Sequence, residues 1–373
     1  MKRWPVKPLG EVCDVRIGRT PRRDDPRFWG GNAVWVTVRE LNGGEIRSSN
    51  ETVSDIAVRE CMPKPVPAGT LLFSFKLSIG KMAVAGCPLY TNEAIAALPI
   101  KESAGLTRDF LRYALLRGSH EGTADTAVMG KVLNKQKVRS LPIPVPPLAE
   151  QERIVKLLDE ADGLRNLRAQ ADHRTADLIP ALFHEMFGDP ATNPKGWPVK
   201  AFGELTTNQD GRRRPIKASD RARKQGEFPY YGASGVIDHV GEFLFDGAAL
   251  LIGEDGANLL ARSTPVAFMA SGKYWVNNHA HVVLDNGKAD LAYLCAAFGM
   301  LNIADYITGS AQPKLNQANL NRIPVPVPPL QLQRDFAQRV AEIREIESVQ
   351  AAGRGRLDAL FQSMLHRAFN GEI

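Results

Sequence analysis

The sequence predicts a mixed α/β fold built twice: two globular bodies, separated by two long helices that pair antiparallel as a coiled coil, with a pseudo-two-fold internal repeat. Three observations predict it. First, the opening Trp4-Pro5-Val6-Lys7-Pro8-Leu9-Gly10-Glu11-Val12 returns 193 residues later as Trp197-Pro198-Val199-Lys200-Ala201-Phe202-Gly203-Glu204-Leu205. Second, Leu141-Pro142-Ile143-Pro144-Val145-Pro146-Pro147-Leu148 returns 182 residues later as Ile323-Pro324-Val325-Pro326-Val327-Pro328-Pro329-Leu330, each run preceded by a Leu-Asn pair, Leu133-Asn134 and Leu315-Asn316. Third, each proline run opens onto a stretch with apolar residues near heptad spacing. The offset falls between the two markers, so the ends of each copy are kept while the interior is replaced and shortened. Two large copies are not a solenoid, whose repeats run to about 20–50 residues. The boundaries read as a first body over 1–146, a first long helix over 147–188, a second body over 189–329 and a second long helix over 330–373.

Within the bodies, Leu71-Leu72-Phe73-Ser74-Phe75 follows the turn signal Pro67-Ala68-Gly69 and reads as a buried strand, with Ala248-Ala249-Leu250-Leu251-Ile252 as its counterpart. Residues 33–38 and 281–284 are further strands, and 109–116 and 291–298 read as helices. A weaker match pairs Tyr90-Thr91-Asn92 with Trp275-Val276-Asn277. The alternating prolines strip donors from one edge of an extended segment, so it can pair only along the other. Pro147 and Pro329 end the extended runs, and a helix can start just after. The first helix carries an apolar stripe at Ile154, Leu157, Ala161, Leu164, Ala171, Leu178, Leu182 and Met186, with Pro180 bending its last turns. The second carries Phe336, Val340, Ile343, Ile346, Leu357, Leu360, Met364 and Ala368, with a kink or local break expected at Gly353-Arg354-Gly355. Each stripe is too narrow for a helix buried all round and needs a partner, and the other copy is the favoured one. About forty helical residues would make a rod of roughly 60 Å. The short connector after the first helix cannot span it, which favours bodies at opposite ends.

The composition is that of an ordinary globular protein, 44% hydrophobic and 24% charged, with a formal net charge of +6. That charge suits a polyanionic partner. The four cysteines are far apart, so neither a disulfide framework nor a thiolate metal site is expected, and a cytoplasmic location is. No apolar run reaches the roughly 18 residues of a membrane span, and the basic start is not read as a signal peptide. Signatures of phosphate, dinucleotide or methyl-donor cradles, of zinc proteases and of serine nucleophiles are missing, which favours a binding protein over an enzyme. His279-Ala280-His281 places two imidazoles on one side of an extended stretch, which reads as a DNA contact or satisfied histidines rather than a metal site. Glu254-Asp255 lies on the turn Gly253–Gly256 without the companions of a nuclease centre, and no metal ligands are assigned.

Basic clusters fall at matching places. Arg19, Arg22 and Arg23 begin 15 residues after Trp4, and Arg212, Arg213 and Arg214 begin 15 residues after Trp197. Lys76 and Lys81 follow the first buried strand. Lys131 and Asn134 precede one proline run, and Lys314 the other. Such cations neutralise phosphates and position a protein on DNA. Tyr231 and Ser234, in Tyr230-Tyr231-Gly232-Ala233-Ser234-Gly235, form either a close-approach turn for DNA or a tight turn with a buried tyrosine. With Asn258 and His279, these residues make up the candidate DNA-binding set.

The sequence resembles the specificity subunit of Type I restriction–modification systems over nearly its whole length. The resemblance is carried by the Trp-Pro-Val-Lys starts, the Leu-Asn and Pro-x-Pro-x-Pro-Pro-Leu junctions, and Ala149-Glu150-Gln151-Glu152-Arg153-Ile154. The second copy departs at Gln331-Leu332-Gln333-Arg334-Asp335-Phe336, keeping a glutamine but not the glutamate. Residues 230–234 and 253–259 also resemble a familiar type of recognition domain. The resemblance implies two target-recognition domains and a non-catalytic reader of a bipartite double-stranded DNA target. It implies recruitment of two methyltransferase subunits and of motor-nuclease subunits, with S-adenosylmethionine, ATP and Mg serving those partners and no cofactor held by this chain. The other reading of the same features is a coiled-coil scaffold whose bodies bind protein or RNA.

Overall fold

The computed structural model describes residues 4–76, 78–120, 133–309 and 311–373. The chain divides into two compact units, Met1–Leu167 with Arg354–Ile373, and Arg168–Gly353. Each unit therefore holds one body together with a portion of each long helix.

The strands, in chain order, are β1 (Val6–Pro8), β2 (Arg16–Ile17), β3 (Trp29–Val36), β4 (Glu45–Ile46), β5 (Glu51–Val53), β6 (Leu71–Ser74), β7 (Met82–Ala85), β8 (Tyr90–Thr91), β9 (Ile95–Leu98) and β10 (Pro142–Pro144) in the first unit. The second holds β11 (Val199–Ala201), β12 (Thr206–Asn208), β13 (Phe228–Gly232), β14 (Gly235–Val240), β15 (Phe245–Asp246), β16 (Ala249–Gly253), β17 (Ala267–Ala270), β18 (Lys273–Val276), β19 (Ala280–Asp285) and β20 (Pro324–Pro326). The larger sheet of the first unit runs β2-β9-β6-β7-β4, and that of the second β12-β19-β16-β17. The smaller sheets run β5-β3-β8 and β14-β13-β18-β15. Both contain one parallel pair at the same place, Trp35 opposite Tyr90 and Tyr230 opposite Trp275. The repeat is thus a repeat of topology even where side chains share nothing.

Each weak sequence match has a structural duty. Asn92 donates its backbone N–H to the Val36 carbonyl at 3.0 Å and accepts the Ala94 N–H on Oδ1 at 3.1 Å. Asn277 repeats the pattern with the Tyr231 carbonyl at 3.1 Å and the His279 N–H at 2.8 Å. Asn134 and Asn316 cap short helices (Lys135–Arg139 and Gln317–Arg322), accepting the N–H groups of Lys137 at 2.8 Å and Asn319 at 2.9 Å. The proline strands pair antiparallel with the Trp-Pro-Val-Lys strands along their donor-bearing edge, Ile143 opposite Lys7 and Val325 opposite Lys200.

The first long helix starts at Leu148 and runs to Ala176, and a further helix runs Leu178–Phe187. The interruption at Asp177 lies one turn before Pro180. Proline lacks the N–H that would reach the Ala176 carbonyl, and its ring crowds that carbonyl. The second long helix is continuous over Leu330–Phe369, so the break expected at Gly353-Arg354-Gly355 does not occur. Glycine costs about 1 kcal/mol in a helix but keeps its donor.

Within the first unit the helices run antiparallel: Arg153 bonds the Ile373 carbonyl, while Arg165 meets Asp358 at 2.7 Å. Within the second they do the same, Thr175 accepting from Gln350 at 3.0 Å and Phe183 lying 5.6 Å from Phe336. The buried stripe of the first helix is Ile154, Leu158, Ala161, Ile179, Phe183 and Phe187. Leu164 and Leu178, assigned to it from spacing, are exposed, as are Ile346 and Leu360 on the second helix. The helices pack on their bodies as well as on each other, which rotates the buried face. Phe110, Tyr113 and Ile143 join Ile154, Leu158, Phe361 and Leu365 in one core, and Phe202, Tyr293 and Val325 join Phe183 and Phe336 in another.

One buried amide anchors each helix start. Gln151 donates Nε2 to the carbonyls of Gly105 at 2.7 Å and Pro146 at 2.8 Å, and accepts the Thr107 N–H at 2.8 Å. Gln333 donates to the Pro328 carbonyl at 2.7 Å and accepts the Asp290 N–H at 2.9 Å. Neither is exposed at all, and each amide is satisfied by backbone groups around its helix start. Among the described residues no helix is long and apolar enough to cross a membrane.

Candidate nucleic-acid interface

In each unit several loops meet at one edge. In the first, the segment after β2 lies against the β8–β9 connection, Arg19 donating to the Thr91 carbonyl at 2.8 Å and Thr20 to Glu93, and the start of the β6–β7 loop joins it, Phe75 donating to the Ala94 carbonyl at 3.0 Å. In the second, the β13–β14 turn lies against the end of β16, where a side-chain carbon at Gly253 would come within 2.9 Å of the Ala233 carbonyl. Only glycine admits that approach. The variable interior of the repeat is here: a long β3–β5 connection in one unit, a two-residue turn plus the excursion after β16 in the other.

The first-unit cations have defined settings. Arg23 pairs with Glu51 and lies over the rings of Trp29 at 4.1 Å and Trp35 at 4.9 Å. Arg22 reaches Asp24 at 2.9 Å and is largely exposed. Arg19 is exposed and touches the Cys61 carbonyl at 3.2 Å. Lys76 is half-buried with its ammonium 5.6 Å from the Phe75 ring, and Lys81 is exposed. Glu93 accepts from Thr20, and that hydrogen bond, with Lys76 and Arg23 nearby, holds its carboxyl below the usual range. Lys131 lies outside the described residues. Asn134 is committed to its helix cap.

The second unit centres on the Gly253–Gly256 turn. Arg213 reaches Glu254 at 2.6 Å, the Ala280 carbonyl at 2.8 Å and Asp210 at 3.4 Å, and its side chain is only 13% exposed. Lys314 meets Glu254 at 3.1 Å from the solvent side. His281 is buried, with Nδ1 on Asp210 at 2.6 Å and Nε2 on the Leu315 carbonyl at 2.7 Å. Burial raises the carboxyls of Asp210 and Glu254, but their hydrogen bonds and the neighbouring cations outweigh it, so both lie below the usual range. His279 bonds Asp255 at 2.8 Å. Ser234 is exposed at the hairpin turn. Tyr231 is half-buried, stacked at 5.9 Å on Phe268, and Tyr230 beside it is buried. Arg212 bonds the Leu244 carbonyl at 2.8 Å and covers the Phe245 ring. Asn258 ties the 258–264 turn through the Thr264 carbonyl and amide, both at 3.0 Å. Arg214 extends its side chain into solvent.

Arg213, Ser234, His279 and Lys314 therefore come together, whereas Arg212, Arg213 and Arg214, adjacent in sequence, take three different settings. Asp210, Glu254 and His281 place ligand-type atoms within 4.8 Å of one another. Both His281 nitrogens face acceptors, and Glu254 receives Arg213 and Lys314, so each of the three groups has partners within the protein.

Acid should loosen this unit. Asp238 accepts from Arg221 at 2.8 Å, from Gln225 and from the His239 amide, which bring its carboxyl down to about 2. Carboxyls depressed in the folded state add stability above their unfolded values near 4, and that stability is lost as pH falls through the folded values. Thermal unfolding of the full chain is expected to shift steadily down between about pH 4 and pH 2. A flat profile there would contradict the assigned pairings.

The model of the Type I restriction modification DNA specificity domain matches residues 1–171 and 194–348. The chain belongs to that family. It is 23% identical to the Type I restriction enzyme MjaIX specificity subunit of Methanocaldococcus jannaschii, over 92% of this chain and 87% of that one. It is 26% identical to the EcoprrI specificity subunit of Escherichia coli, over 87% and 84%. The crystal structure of a Type I restriction-modification S subunit from M. genitalium shares the fold at a TM-score of 0.58, with 16% identity, covering 98% of this chain and 96% of that one. The specificity family supplies non-catalytic DNA-recognition components, so the expectation of a reader rather than an enzyme holds.

Two features at the edges of this specificity protein lie outside the candidate set drawn from the sequence. One is the Asp210–His281 strut, built from residues 71 apart. The other is the exposed cations Lys217 and Arg223, which stand on the same connection as Arg214. The basic run 212–224 carried the second signal. Nothing in the local sequence carried the first.

Proposed function

We propose that the chain reads a bipartite double-stranded DNA target, each body contacting one half. The supporting observation is the duplicated topology with replaced loops at one basic edge of each unit. A shared frame with different loops suits two unrelated half-sequences. Exposed Arg22, Lys81, Arg214 and Lys314 contact phosphates in this reading, while Arg23 and Arg213 shape the surfaces from within. The chain also recruits two methyltransferase subunits, and motor-nuclease subunits join for restriction. S-adenosylmethionine, ATP and Mg are bound by those partners.

The test is equilibrium binding of the full chain, with its methyltransferase subunits, to duplexes carrying a selected target and an altered one. The expected result is a steep fall of affinity with salt, and a specific advantage of at least about a thousand-fold. Equal affinity for every sequence would overturn the reading in favour of a scaffold.

A further inference from the structure

His279 lies on the turn between β18 and β19, its side chain 47% exposed, and it is held at three points. Its backbone N–H donates to Asn277 Oδ1 at 2.8 Å, its carbonyl accepts the Glu254 N–H at 2.8 Å, and ring Nδ1 meets both Asp255 oxygens at 2.9 and 2.8 Å. Asp255 is itself fixed. It is 17% exposed, and its backbone pairs with that of Lys314 in an isolated bridge. The imidazole is left with one polar atom, Nε2, and among the described residues nothing in the chain bonds it. Lys314, in the same cluster, is a flexible ammonium on Glu254. The exposed Ser234 turn adjoins Gly253.

Phosphate contacts tolerate a mobile charge, because they fix register and carry no sequence. A base reader needs a directional group already in place, supported by neighbours whose own positions are locked. His279 has that construction, whereas Lys314 is a mobile ammonium and Arg213, though fixed, spends its guanidinium on Glu254, Asp210 and the Ala280 carbonyl. We propose that His279 Nε2 contacts a base edge in the half of the target read by the second unit, with Asp255 as its positioning residue. The inference rests on the reading of this chain as a bipartite DNA reader.

The test uses the full chain with its methyltransferase subunits, methylating a library of randomised duplexes whose modified members are sequenced. Wild type is compared with His279→Ala, His279→Gln, Asp255→Ala and Asp255→Asn. With His279→Ala, discrimination at one base pair of one half-site should fall by about ten-fold or more, the other half-site and the spacing being unchanged. Asp255→Ala should relax the same base pair. Asp255→Asn keeps an oxygen for Nδ1 and should restore the preference. If His279→Ala fails to fold, His279→Gln carries the test, and its preferred base at that position should change. Wild-type preference at every position in a folded His279 variant would overturn the inference. So would a uniform loss across all sequences, or a change in both halves. A wild-type complex that selects no sequence would overturn the DNA reading itself, and the inference with it.

Discussion

Arg213→Ala is expected to destabilise the second unit by about 3–5 kcal/mol, the range for removing one partner of a buried ion pair. The guanidinium joins Glu254, Asp210 and the Ala280 carbonyl in one buried network. Its loss leaves two shielded carboxylates with Lys314 and His281 alone to oppose them. The three loops it ties, at 210–213, 254 and 280, form the edge assigned to DNA, so DNA binding should fall as a consequence of unfolding. Urea unfolding of the full chain separates the two roles. A lowered midpoint with lost binding supports the internal role. An unchanged midpoint with weakened binding would make Arg213 a direct DNA contact instead.

Phe183→Ala should cost about 3–5 kcal/mol, the range for truncating a buried aromatic. Phe183 is fully buried and stacks at 5.5 Å on Tyr293 of the body, with Phe187 at 5.0 Å and Phe336 of the second helix at 5.6 Å. It joins the helix to its body and to the other helix at one point. Leu164→Ala, on the face that spacing alone would bury, should change stability by no more than about 0.5 kcal/mol, since that side chain is 54% exposed. Urea midpoints of the two variants decide which face is buried. Equal costs would contradict the packing described.

These two residues also show what the sequence could and could not convey. The duplicated frame was legible because its markers are backbone devices. Alternating prolines select a strand edge, an asparagine caps a helix, and both work without distant partners. The helix face was legible only approximately. Heptad spacing assumes that two helices meet only each other, whereas Phe183 and Phe361 also face Tyr293 and Tyr113 of their bodies. The expected break at Gly353-Arg354-Gly355 overrated propensity in a helix tied on either flank of the glycines, by Gln350 to Thr175 and by Asp358 to Arg165. Charge runs were least informative. Arg213 is neutralised by Glu254, 41 residues away, and Arg23 by Glu51, 28 residues away. Neither pairing leaves a local trace.

Two bodies on one repeated frame should each specify their own half of a DNA target. Base-resolved methylation sequencing tests it most directly, in cells carrying this chain with its methyltransferase, and in the same cells after residues 1–146 are exchanged for the matching body of another family member. One bipartite methylated motif is expected with the wild-type chain, and a new sequence in one half with the other half retained after the exchange. A motif that changes in both halves, or no methylation that depends on this chain, would contradict it.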